Sequence, residues 1–161
     1  MTQRQVEITR LASLPSYLSE ISILAGRRIK SDELLSVQET ESLRSKLKQM
    51  SKERVARGSI SFEKIRSGSF ISMIEQLYNL NGSPVVLWPP KANDCGLFQM
   101  TSIKHVNFDI PFDLNPEGIL LIATRDGLDS LLLDFSEDDG CRSLEIELRG
   151  RHWSSVTPPN E

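Results

Sequence analysis

Cysteine and histidine are nearly missing from this chain: Cys95, Cys141, His105 and His152 are all it has. Two thiols make no disulfide framework, which predicts a reduced, cytoplasmic setting. The four residues also make a poor zinc set. Nine residues separate Cys95 from His105 and ten separate Cys141 from His152, where structural zinc sites use short C-x₂₋₄-C and H-x₃₋₅-H spacings. The expected roles are small buried thiols and surface imidazoles. No apolar run reaches the length of a membrane span. The opening segment has no apolar signal-peptide core and carries Glu7 and Glu20, so no signal peptide is expected. Nucleotide-binding, nucleophile-elbow and zinc-protease motifs are absent. The carboxylates Asp126, Asp129, Asp134 and Asp138 lack the calcium-loop frame. No catalytic residue, metal or cofactor is therefore assigned, and a non-enzymatic binding role is expected.

What is present is charge, unevenly placed. The 161 residues carry a net charge of −3, but residues 1–70 hold 13 Lys/Arg and 8 Asp/Glu, and residues 71–161 hold 6 and 14. Between 109 and 139 there are nine acids and one base, Arg125. Such a field attracts cationic partners and repels nucleic acid. The opposite concentration is Arg44, Lys46, Lys48, Lys52, Arg54 and Arg57. It reads as the solvated face of an amphipathic helix, with nucleic-acid contact as the other reading.

The stretch 118–149 has the strongest structural signal. Residues 118–123 and 130–135 are apolar runs, and 144–149 alternates Leu-Glu-Ile-Glu-Leu-Arg. Asp126-Gly127 and 136–140 supply turns between them. This predicts an antiparallel meander with 144–149 as a half-exposed edge strand. One face would hold Ile119, Leu121, Leu131, Leu133, Phe135, Leu144 and Ile146. The other would hold Leu120, Ile122, Leu132 and Asp134, and is too apolar to stay bare. The N-terminal helices or a partner would cover it.

Upstream, Pro15 fits the first position of a helix containing Tyr17, Leu18, Ile21 and Leu24 and stopped by Gly26. Ser31 fits an N-cap, and an apolar face through Leu34, Leu35, Val37, Leu43, Leu47 and Met50 predicts one kinked helix or two, ended by Gly58. Ser69 opens the clearest helix, with Phe70, Ile71, Ile74, Leu77 and Tyr78 on one stripe and Asn81-Gly82 as its stop. Residues 85–88 predict a strand, 97–103 a strand or short helix, and 108–116 a loop. Trp88 is expected in the core, and Trp153, among polar neighbours, is a candidate interface anchor. The whole predicts one α+β domain over 1–161, with N-terminal helices followed by a mainly antiparallel β-meander. Within it, 1–66 form a helical lead-in, 67–153 the helix and sheet core, and 154–161 a mobile tail.

The helix ending Leu77-Tyr78-Asn79-Leu80-Asn81-Gly82, followed by Leu120 to Gly127 and the acidic run Asp129 to Asp134, resembles the SUKH superfamily of bacterial immunity proteins. The likeness covers about half the chain. The long lead-in and the absence of a helix after the last strand depart from that pattern, and immunity families of contact-dependent growth inhibition systems share the same general traits. The resemblance implies a small non-catalytic protein that covers the basic active site of a cognate toxin, a nuclease in many such systems. The steering set would be Asp126, Asp129, Asp134, Glu137, Asp138 and Asp139, with Trp153 as anchor. The protein would act as a monomer or weak dimer, without membrane or nucleic-acid contact. The alternative is a secretion or effector chaperone that holds a client on an apolar sheet face.

Overall fold

A computed structural model describes residues 2–50 and 54–161. It is α+β. Four helices, α1 (Gln3–Ala25), α2 (Val37–Met50), α3 (Gly68–Leu80) and the short α4 (Ala92–Cys95), accompany six strands. The strands are β1 (Val55–Ser61), β2 (Val85–Trp88), β3 (Phe98–Met100), β4 (Ile119–Thr124), β5 (Asp129–Asp138) and β6 (Cys141–Gly150). They form one sheet of order β1-β6-β5-β4-β2-β3, with every pair antiparallel.

The helices start where local capping dictates. Thr2 accepts the Gln5 N–H and Gln5 reaches back to the Thr2 N–H, so α1 begins well before Pro15 and carries that proline inside. The lost hydrogen bond is tolerated because this half of the helix is solvated, with Leu11 60% exposed. Gly26, at φ 70°, ends α1 as its sequence predicts. Ser31 opens only a short 3₁₀ turn. The true N-cap of α2 is Ser36, whose hydroxyl accepts the Glu39 N–H at 3.1 Å while Glu39 accepts the Ser36 N–H at 3.1 Å. Ser67 caps α3, which buries Phe70, Met73, Ile74 and Leu77 and leaves Ile71 54% exposed.

Three expectations are corrected by the sheet. The lead-in 1–66 is not all helical, because β1 lies within it and pairs with β6 from Val55↔Arg149 to Ser61↔Ser143. Gly58 therefore sits in a strand, not at a helix end. The alternating strand β6 is consequently interior, between β1 and β5, and not an edge. Register also moves the apolar faces. Leu120 pairs with Leu133 and Ile122 with Leu131, and Leu131, Leu133 and Phe135 pair with Leu148, Ile146 and Leu144. Paired residues share a face, so Leu120 and Ile122, not Ile119 and Leu121, join that core layer. The β4–β5 loop sets this register, and a one-residue difference inverts a whole strand.

The third helix covers the core face. Trp153 Nε1 donates to the Leu77 carbonyl at 2.9 Å, and Phe62, Phe112 and Phe135 stack edge-on or tilted at the other end. The first helix is tied in by the Tyr17 hydroxyl on the Gly96 carbonyl at 2.5 Å and the Asn107 N–H on the Leu24 carbonyl at 2.7 Å. On the opposite face, α2 lies over the β2–β4 side. Glu39 pairs with Arg125, Arg44 and Trp88 both donate to Asn93, and Lys46 sits over Gly127. Val86, Ala123 and Ser130 are buried there. The tail is not loose: Val156 and Pro158 are buried, and the Glu161 N–H donates to the Ser59 carbonyl.

Candidate functional site

The part of the outer face that α2 leaves open is the candidate site. Its residues follow from register. One row across the sheet reads Ile119, Asp134, Glu145 and Ser59, and the next reads Leu121, Leu132, Glu147 and Arg57. Ile119, Leu121 and Leu132 are half-buried and lie at its apolar end. Asp134 and Glu145 stand directly opposite each other, both exposed, in a pairing that disfavours the fold. Glu145 accepts from the Ser59 hydroxyl at 2.9 Å. Neither carboxylate has an ion pair among the described residues. Glu147, by contrast, is held between Arg57 at 3.3 Å and Arg149 at 2.5 Å. A shallow cleft of about 150 Å³ runs between Arg57, Leu132, Asp134, Glu145 and Glu147.

Beyond this face the β5–β6 hairpin projects. Its two-residue loop, Asp139 at φ 50° and Gly140 at φ 77°, is the turn that fits strand twist. Glu137, Asp138 and Asp139 are exposed on it. Glu137 pairs with Arg142, whose guanidinium also lies over the Phe112 ring. Asp138 and Asp139 have no ion pair among the described residues.

The predicted partner set thus divides. Asp134, Glu137, Asp138 and Asp139 lie together along β5 and its tip. Asp126, Asp129 and Trp153 lie at the other end of the strand, in a polar knot where Asp129 and Trp153 are buried and Asp126 is exposed. Asp129 is fully buried; one carboxylate oxygen accepts the His152 and Trp153 N–H groups at 2.7 and 2.8 Å. The other accepts from Asn81 Nδ2 at 2.7 Å and faces His152 Nδ1 at 2.9 Å. Asp126 takes the Thr124 hydroxyl, the Leu128 N–H, Asn81 and Ser83. Desolvation opposes its ionisation, but those four donors prevail and hold its carboxyl below the ordinary value. Trp153 is wholly buried and bonded to α3. Asp129 and Trp153 are closed off from solvent, while Asp126 stays exposed; the two carboxylates and the indole fasten the β4–β5 loop, the end of α3 and the turn after β6.

Glu145 and Glu147 belong to the open face and were outside the predicted set. Their alternation in the sequence already turns them outward, but only the β5–β6 register puts them beside Asp134.

The cysteines and histidines are dispersed. Cys95 is buried and Cys141 exposed. His105 is bonded to Thr101 and Ser102, and His152 to Asp129. Burial, then the charge of Asp94, pushes the Cys95 thiol up. Among the described residues no group of three or more His, Cys, Asp or Glu side chains is arranged to hold a metal ion. The basic segment is divided too. Arg44 and Lys46 are on α2 and Arg57 on β1, while Lys52 lies outside the described residues. No described helix is long and apolar enough to cross a membrane. In comparison with known proteins, the chain matches no family model, no curated protein and no solved structure.

Proposed function

We propose that this protein is a non-catalytic immunity protein that neutralises a cognate cationic toxin, a nuclease in the simplest case, by laying the open half of its sheet and the β5–β6 tip over the toxin's basic active site. The observation that carries this reading is the uncompensated row Asp134–Glu145 beside the exposed tip Glu137, Asp138 and Asp139. Two carboxylates facing each other across a ladder weaken the fold, and a cationic partner turns that cost into binding energy. The neighbouring Leu132, Leu121 and Ile119 offer apolar contact at one end of the charged rows, so the face combines the apolar and polar contacts that protein interfaces use. Steering by the tip would make association fast and salt-sensitive.

A client-holding chaperone has less support. It calls for a broad apolar face, and α2 already occupies the Val86–Ala123 side of the sheet.

The test is co-expression with the product of the adjacent upstream reading frame. Co-purification of the two, together with rescue of growth when the neighbour is toxic, is the expected result. A complex with a non-toxic neighbour would move the reading to a chaperone, and no complex at all would remove it.

A further inference from the structure

The two edges of the sheet are treated differently. The β3 edge is three residues long and shielded by Arg27 lying over Phe98. The β1 edge is seven residues long, which is a ready template for another strand. In antiparallel pairing, alternate residues turn their N–H and C=O groups away from the neighbour. On β1 the outward groups belong to Val55, Arg57, Ser59 and Ser61, as the bonding of Ser59 shows. Its carbonyl accepts the Glu161 N–H at 2.8 Å, and its N–H donates to the Asn160 side chain at 3.1 Å.

Residues 157–161 thus mimic a paired strand at a single position. Pro158 and Pro159 have no N–H to extend the pairing, and Lys64 holds Glu161 through an ion pair. The approach is close enough to require glycine beneath it, since a Cβ on Gly58 would lie 2.3 Å from the Pro159 carbonyl oxygen and 2.8 Å from Pro158 Cβ.

We infer that the 157–161 segment is a displaceable guard on the β1 edge, and that the edge it covers fits β1 of a second copy of this chain in antiparallel pairing. Charge favours that occupant. With the two-fold axis at Gly58, Arg57 of the second copy, whose pairing to Glu147 is backed up by Arg149, falls opposite Ser59, one strand from Glu145, a carboxylate with no ion pair of its own among the described residues. The pairing would join two six-stranded sheets into one, satisfy the outward groups of Arg57 and replace the bonds that the guard makes to Ser59 on both copies. This inference is independent of the immunity reading, since it concerns self-association only.

The experiment is sedimentation velocity on the whole protein and three variants, with circular dichroism to establish that each is folded. Gly58→Val suits a strand but collides with the guard. The triple variant Pro158→Gly, Pro159→Gly, Asn160→Gly loosens the guard and leaves β1 untouched, so it decides the matter should Gly58→Val fail to fold. Adding Ser59→Pro to either variant removes the central outward N–H, a change that edge strands tolerate. The expected result is a monomeric parent, a doubled mass for the guard variants, and a return to monomer with Ser59→Pro. Folded guard variants that stay monomeric would overturn the inference. So would a dimer that Ser59→Pro leaves intact.

Discussion

Single buried polar side chains carry much of this fold. Asp129 takes three nitrogen donors within 2.8 Å, two from the turn after β6 and one from Asn81 at the end of α3. Asp129→Ala would orphan all of them in a dry site, so a loss of about 3–5 kcal/mol is expected, read as a lower urea midpoint. Glu20 is the reverse case. It is 4% exposed, and its carboxylate accepts from Asn115 Nδ2 at 2.8 Å. Burial raises its carboxyl above the ordinary value of 4.5, against the Asn115 bond and the charge of Lys91. A raised acid in the folded state means that the native protein holds its proton more tightly than the unfolded chain. Its contribution is therefore fully present below the ordinary value and falls as pH rises above it. Glu20→Gln should flatten that decline, gaining on the order of 1 kcal/mol at pH 7 relative to the parent. Thermal melts of both proteins from pH 4.5 to pH 7 would measure this, and parallel pH profiles would contradict it. Asp126 acts with the opposite sign: its lowered carboxyl stabilises the fold above the ordinary value of 3.8 and ceases to do so as pH falls through its depressed one.

At the scale of elements, caps and turn glycines set where segments begin and how they dock. Ser36→Ala removes the hydroxyl that caps α2, at a cost of about 1 kcal/mol in chemical denaturation. Gly127 and Gly140 make a matched pair, at φ 76° and 77°. An added Cβ meets nothing within 4 Å at Gly140, but at Gly127 it lies 2.9 Å from Lys46 Cβ. Alanine at Gly140 should cost about 1–2 kcal/mol for backbone conformation alone. Alanine at Gly127 should cost clearly more, because α2 has to move as well. Equal losses would mean that α2 does not rest firmly on the β4–β5 loop. The helix α3 and strands β2, β4, β5 and β6 were legible in the sequence, because each has a clean apolar period and a turn residue at its end. Strand β1 was not. Its sequence, Val-Ala-Arg-Gly-Ser-Ile-Ser, has a weak period and follows a run of helix formers. It is a strand because β6 offers it seven partners.

At the scale of the molecule, the charge asymmetry in the sequence survives as an acidic half-sheet and tip. The Asp134–Glu145 pairing gives the clearest separation of stability from binding. Asp134→Lys should leave the fold unharmed or raise its stability by about 0.5 kcal/mol, by replacing like charges with opposite ones. With Asp138→Lys it should weaken capture of the cationic partner proposed above and reduce the salt dependence of association. A double variant that binds as well as the parent would exclude this face as the interface. Two members of the predicted set, Asp129 and Trp153, lie in the interior for an identifiable reason. Both look exposed in a sequence of turns and polar neighbours, yet each turns inward to meet backbone groups at the junction of three elements, whereas Asp126 stays at the surface.

Periodicity, turn chemistry and net charge are local properties, and they were enough to specify the α+β class, the meander, the principal helix and the sign of the charge on each half. Which acids face solvent, the interior place of β6 and the seat of 157–161 on β1 emerge only in the folded chain. These depend on strand register and on contacts between residues far apart in the chain, where one residue of slip exchanges the two faces of a strand.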